Sequence, residues 1–298
     1  MRRKLHIVDV FTDKPFAGNS LAVVLGADGL SSRQMLSFAR EMNFSETTFV
    51  TATAPVRGAW PVRIFTPVRE LPFAGHPALG TAHVLRQFVS SPQTRRIMLD
   101  FPAARVPVVL EKSGSRELYW MRHPVPAIGG ALTRKQAGDL LGLKAADIDG
   151  RHPALEVTAG LGYLIVPVRT RAALARAVLN LAALKGVSDR VEARAVFAFA
   201  PGGADRRSDF SARAFFDYFG EAEDAATGSA GACLAAWLVE TGYCGDDAVA
   251  VRVEQGAHLA RPSLLHLRAI RTSRAIEVRV GGGVVGVVDG EITAARFG

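Results

Sequence analysis

The sequence predicts an α+β chain of two similar halves, each a set of short strands around one buried helix. Three observations predict it. Apolar residues make up 49% and charged residues 21% of 298, enough to bury a large core, and at ~150 residues per domain the length fits two domains. Short runs with the alternation of strands recur along both halves. The order strand, glycine, apolar helix also occurs twice: Arg63-Ile64-Phe65 precedes Gly75, and Arg213-Ala214-Phe215 precedes Gly228. A helix apolar on most sides belongs in the middle of a fold.

Residues 5–11 and 20–25 alternate as strands around a turn at Asp13-Lys14-Pro15. Ser31 or Ser32 caps a helix whose Met35, Leu36, Ala39 and Met42 recur at helical spacing. Strands are expected at 46–51 and 59–66. A second helix starts at Gly75, with Pro77 in its first turn, where the missing N–H costs nothing. Its stripe is Ala78, Ala82, Leu85 and Val89, and Ser90-Ser91-Pro92 ends it. Residues 95–122 read as short strands. Pro124-Val125-Pro126-Ala127-Ile128-Gly129-Gly130 reads as a connector, which sets the domains at 1–124 and 125–298. Beyond it, helices are expected at 133–141 and 171–181 around a strand at 156–168, then strands at 195–200 and 213–216. Thr227-Gly228-Ser229 opens a helix containing Ala230, Cys233, Leu234, Trp237 and Leu238, stopped at Gly242. Four or five strands fill residues 249–297.

Composition excludes several functions. Lys and Arg number 36 against 28 Asp and Glu, a net charge of +8. That excess favours anionic partners in general. The arginines are scattered, however, aromatics are 8% and no recognition motif occurs, so no nucleic acid is expected. Two cysteines exclude a disulfide framework and a CxxC zinc site. Seven histidines without HExxH, HxH or a Cys/His cluster imply no metal. Asp9 and Asp13 break the apolar run after the basic start too early for a secretory signal. The uncharged residues 225–239 are too few to span a membrane. A cytoplasmic protein with no membrane partner is expected. Gly281-Gly282-Gly283-Val284-Val285-Gly286 matches a dinucleotide loop as text, but Val287-Val288 continue a strand where a helix is required. Gly228-Ser229-Ala230-Gly231 lacks the spacing of a serine-hydrolase elbow.

A three-part constellation remains. Asn43-Phe44-Ser45-Glu46-Thr47-Thr48-Phe49 puts a carboxylate at the mouth of an apolar strand. Phe73-Ala74-Gly75-His76-Pro77 and Glu223-Asp224-Ala225-Ala226-Thr227-Gly228-Ser229 open the two buried helices. Taken singly, each has a bland reading: an exposed Glu, a helix start with Pro, an acidic cap. Together, two glycine-led helix starts offer backbone N–H groups and positive dipole ends to a carboxylate. A carboxylate facing them can carry a proton.

These strings together resemble the phenazine-biosynthesis PhzF family of isomerases, within the wider diaminopimelate epimerase-like and proline-racemase fold group. The resemblance also rests on Val8-Asp9-Val10-Phe11-Thr12, Pro15-Phe16-Ala17-Gly18-Asn19, Glu254-Gln255-Gly256 and Arg261-Pro262-Ser263, and it runs almost end to end. It implies two pseudo-symmetric domains, each a barrel-like sheet around a central helix, with the last strand, near 286–298, returning to the first. It further implies an active site in an interdomain cleft, a homodimer, no cofactor and a small-molecule carboxylic-acid substrate. It puts the acid/base glutamate at Glu46 and catalytic roles at His76, Asp224 and Ser229. Asn19, Ser45, Gly75, Thr227 and Gly228 are expected to bind substrate. Racemase relatives carry a cysteine before each helix-opening glycine; here those positions are Ala74 and Thr227, which excludes a two-thiol mechanism. Ala225, Ala78 and Ser20 stand where the family commonly has Pro, Thr and Pro, departures that bear on substrate identity. The expected activity is a proton shift within a small amino- or hydroxy-carboxylic acid. An epimerase or dehydratase on the same fold, and a non-catalytic binder of small anions, stay open.

Overall fold

In the computed structural model, which describes residues 3–91, 93–114, 116–187, 191, 193, 195–216 and 223–293, the chain divides into two units. One is Met1–Arg122 with Gly281–Gly298, and the other is His123–Val280. The first unit runs β1 (Arg3–Val10), β2 (Asn19–Leu25), α1 (Ser32–Met42), β3 (Glu46–Val50), β4 (Trp60–Phe65), β5 (Glu70–Leu71) and α2 (Gly75–Phe88). β6 (Arg96–Asp100), β7 (Arg105–Ser113) and β8 (Arg116–Arg122) follow. The second unit begins with β9 (Ala127–Leu132), α3 (Arg134–Leu140), β10 (Ala154–Thr158), β11 (Gly162–Pro167), α4 (Arg171–Arg176) and α5 (Leu181–Gly186). It continues through β12 (Ala195–Pro201), β13 (Phe210–Phe216), β14 (Glu223–Asp224), α6 (Gly228–Glu240), β15 (Ala248–Gln255) and β16 (Ser263–Arg271). After β17 (Ile276–Gly282), the chain returns to the first unit as β18 (Val284–Ile292), antiparallel to β1 with Val10 opposite Val284.

The two units share one pairing scheme. In the first, β18–β1 and β1–β2 are antiparallel, β2–β3 parallel, β3–β4 antiparallel, β4–β6 parallel and β6–β7 antiparallel. In the second, β9–β10 and β10–β11 are antiparallel, β11–β12 parallel, β12–β13 antiparallel, β13–β15 parallel and β15–β16 antiparallel. The small strands β5 and β14 each pair antiparallel with the strand before them. Register therefore equates residues one by one. Arg63 lies opposite Phe49, and Arg213 opposite Ala198; Trp60 lies opposite Leu99, and Phe210 opposite Val253.

The apolar helices occupy the middle of each unit. α2 touches β1, β2, β3, β6, β7, β8 and β18, and α6 touches β10, β11, β15 and β16. Every residue of α6 except Ser229 and Glu240 is buried, and Trp237 packs edge-on against Phe199. Gly80 lets α2 approach the sheet: a Cβ there would stand 2.6 Å from Leu21 Cδ2 and 3.0 Å from Val10 Cγ2. Among the described residues, no helix is long and apolar enough to cross a membrane.

Three local expectations are corrected. The connector expected at 124–130 contains strand β9, because no charge or proline after Pro126 interrupts its pairing with β10, where Ile128 faces Val157. The single strand expected at 156–168 is a hairpin: the chain reverses at Gly160, with Ala159 N–H donating to Leu161 O, and β10 and β11 pair antiparallel. The helix expected at 171–181 is two helices. Ala177 is extended after Arg176, and the Asn180 side chain caps a new start by accepting from the N–H groups of Ala182 and Ala183.

Candidate functional site

In the first unit, the parallel register of β2 and β3 sets Leu21 beside Glu46, the first residue of β3. Thr48, on the same face of β3 as Glu46, accepts a 2.9 Å hydrogen bond from Thr81 Oγ1 of α2. That buried contact fixes the strand against the helix whose start carries His76. Glu46 Oε2 and His76 Nε2 lie 3.4 Å apart, with side chains 16% and 5% exposed. Beside them, Ser45 Oγ donates to Asn19 Oδ1 at 3.1 Å. Glu46, His76, Gly75, Ser45 and Asn19 all belong to this unit.

The second unit holds Asp224, Thr227, Gly228 and Ser229. Thr227 Oγ1 donates to Asp224 Oδ2 at 2.7 Å. Ser229 Oγ is 2.8 Å from the hydroxyl of Tyr163 on β11. Gln255, the last residue of β15, accepts from Thr227 N–H at 3.1 Å and donates to Asp224 O and Thr227 Oγ1 at 2.9 and 3.0 Å.

One device delivers both helix starts. Arg63 Nε donates to Glu70 Oε1 at 2.7 Å across β4 and β5, and Arg213 Nε donates to Glu223 Oε1 at 2.8 Å across β13 and β14. Each guanidinium also lies over a phenylalanine ring two residues along, Phe65 at 5.1 Å and Phe215 at 4.7 Å. The hydrogen bond to Glu70 holds the Arg63 guanidinium above its ordinary range. This is the physical content of the repeated Arg-x-Phe string.

Both helix starts are also alike in what they lack. Of the six α-helices among the described residues, α1, α3, α4 and α5 are capped by Ser31, Thr133, Thr170 and Asn180. The N-cap residues of α2 and α6, Ala74 and Thr227, make no side-chain cap hydrogen bond. Ala74 has no polar atom to offer, and the Thr227 hydroxyl is turned to Asp224. Side-chain caps stabilise a helix by ~1 kcal/mol. At the two buried helices neither N-cap side chain takes up the N–H groups and positive dipole end of the first turn.

The units differ where chemistry is expected. Counting back three residues from Phe49 and Ala198, which face the two arginines, makes Ala195 the counterpart of Glu46. The scaffold is duplicated, and the strand-mouth carboxylate is not. The sequence singles out Glu46, His76, Asp224 and Ser229 through their strings. It does not single out Tyr163, which sits in an apolar strand, and it gives Gln255 no role.

The sequence profile of the phenazine biosynthesis-like protein family, PhzC-PhzF, matches residues 8–290. A trans-2,3-dihydro-3-hydroxyanthranilate isomerase of Pseudomonas chlororaphis is 38% identical over 279 residues, 93% of this chain and 94% of that protein. A crystal structure of a PhzF-family phenazine biosynthesis protein from Bacillus anthracis matches with a TM-score of 0.87 at 24% identity, over 98% of this chain and 99% of that one. A probable proline racemase from Agrobacterium radiobacter K84 matches with a TM-score of 0.61 at 11% identity, over 98% and 93%, a likeness of fold alone.

Proposed function

This chain belongs to the phenazine biosynthesis-like PhzF family and is an isomerase, and from that premise we propose that it moves a proton between carbons of a small amino- or hydroxy-carboxylic acid with Glu46 as general acid/base. The observation that carries the proposal is the Glu46–His76 pair, 3.4 Å apart and mostly buried, at a helix start with no side-chain cap. Glu46 takes the proton from a C–H bond and returns it to another carbon of the same molecule. Such a group contributes roughly 10²–10⁴-fold. Amides opening the helices hold the substrate carboxylate and disperse enolate charge; losing one such donor typically costs about 2.7–4 kcal/mol of barrier. His76, Asp224 and Ser229 orient the amine or hydroxyl. A two-thiol epimerase finds no support, since Cys233 is buried within α6 and Cys244 is exposed after it.

The test is deuterium uptake from D₂O by trans-2,3-dihydro-3-hydroxyanthranilate and related dienoic amino acids, followed by NMR. Glu46→Gln is expected to keep its circular dichroism and melting temperature and to lose at least ~10²-fold in exchange. Exchange at the parent rate in that variant removes Glu46 from the mechanism. The same reading takes the enzyme as a cytoplasmic homodimer, and sedimentation equilibrium checks its mass in solution.

A further inference from the structure

Asp224 sits in a hydrogen-bonded chain whose directions are fixed by chemistry. Thr227 N–H can only donate, so the Gln255 atom 3.1 Å from it is the carbonyl Oε1. The Gln255 amide nitrogen then has two hydrogens and two acceptors, Asp224 O at 2.9 Å and Thr227 Oγ1 at 3.0 Å. With a lone pair of Thr227 Oγ1 engaged this way, its own hydrogen is directed to Asp224 Oδ2 at 2.7 Å. Gly256 closes the arrangement. Its φ is +79°, and a Cβ there would stand 2.5 Å from Ala225 O, so the loop carrying Asp224 rests on the turn after Gln255.

The fold does not require this chain of bonds. Trp60 faces Leu99 as Phe210 faces Val253, which equates Phe101 with Gln255. The pairings of β4 with β5 and of β13 with β14 equate Leu71 with Asp224, and counting on three residues equates Ala74 with Thr227. The first unit therefore builds the same turn into its central helix from Leu71, Ala74 and Phe101, with Phe101 edge-on to Phe73 at 5.6 Å. Where apolar residues suffice for the scaffold, a half-buried carboxylate held by two buried polar side chains, Thr227 and Gln255, answers to something else.

We propose that Gln255, acting through the Thr227 hydroxyl, is the positioning residue that holds Asp224 as an oriented carboxylate; the inference rests on Asp224 serving the reaction proposed above. A hydroxyl directed at Oδ2 favours the ionised form and one rotamer. The charged neighbours on β13 and β14, Arg213 and Glu223, are bound to each other. Thr227 is thereby committed as a donor and does not carry protons.

The experiment follows the Asp224 carboxyl by ¹³C NMR titration alongside steady-state kinetics, in the parent, Thr227→Val, Thr227→Ser and Gln255→Met. Thr227→Val and Gln255→Met are expected to move the Asp224 midpoint up by about one pH unit, with roughly tenfold loss in kcat, a smaller change in KM and the same displacement of the kcat–pH profile. Thr227→Ser keeps the parent midpoint. Both Gln255 amide protons are slow to exchange in the parent, and Thr227→Val releases one of them; this decides the part played by Gln255 even where Gln255→Met does not fold. An unmoved midpoint in Thr227→Val, or fast exchange of both amide protons in the parent, overturns the proposal. If the midpoint moves as expected while the parent turns over none of the acids tried, the positioning stands and the proposed proton shift in small amino- and hydroxy-carboxylic acids fails.

Discussion

Tyr163 and Ser229 share a 2.8 Å hydrogen bond, through which each helps to orient the other. Removing the phenol oxygen in Tyr163→Phe leaves a ring that is otherwise buried. It is expected to cost ~1 kcal/mol of stability and to lower kcat about as much as Ser229→Ala does. The double variant is then expected to lose no more than either single one, because residues acting as one unit are not additive. Kinetics of the three variants check it, and full additivity shows that Ser229 is held by something else. Glu46, His76, Asp224 and Ser229 were singled out in the sequence as candidates because three strings, each bland alone, together resemble one family. Tyr163 was not. Its role comes from β11 lying beside the start of α6, a fact of topology that no local string carries.

The Arg–Glu clamps allow a comparison between like elements in different surroundings. Arg213 and Glu223 are each 11% exposed, whereas Arg63 and Glu70 are 27% and 32% exposed. Arg213 also donates to Ala177 O at 2.7 Å, tying the end of α4 to β13. Arg213→Ala strands a buried carboxylate and is expected to cost ~3–5 kcal/mol. Arg63→Ala breaks a wetter pair and is expected to cost about 1 kcal/mol. Urea midpoints at unchanged m-value measure the difference, and equal losses refute it. Element order and the two central helices could be read from apolar patterning and from the repeated Arg-x-Phe string. The hairpin at Gly160 and the break before α5 could not. Both interrupt apolar stretches that look continuous until the partner strand, or the capping geometry at Asn180, is known.

At the scale of the whole molecule, each unit shields from water a histidine outside the proposed machinery, half-buried His83 in one and buried His123 in the other. Burial pulls the His83 imidazole down to about 4, with Arg86 adding to the effect, and burial likewise brings His123 to about 4. Between the ordinary value near 6.5 and 4, the unfolded chain takes up protons that the folded chain does not. Stability is therefore fully present above pH ~6.5 and lost as pH falls towards 4, by up to ~3 kcal/mol per histidine. Melting temperatures from pH 8 to pH 4 check this, and His83→Gln with His123→Gln is expected to flatten the curve. The return of β18 to β1 has another consequence. β1 leaves the ribosome long before its partner: the strand that covers one of its edges, from Val284 to Ile292, lies some 280 positions later in the order of synthesis. A nascent chain can finish its central portion, residues 123–280, while that edge is still bare. An uncovered edge is a template for pairing with other chains, so the codons for Val284–Ile292 govern when the newborn protein stops being at risk of aggregation.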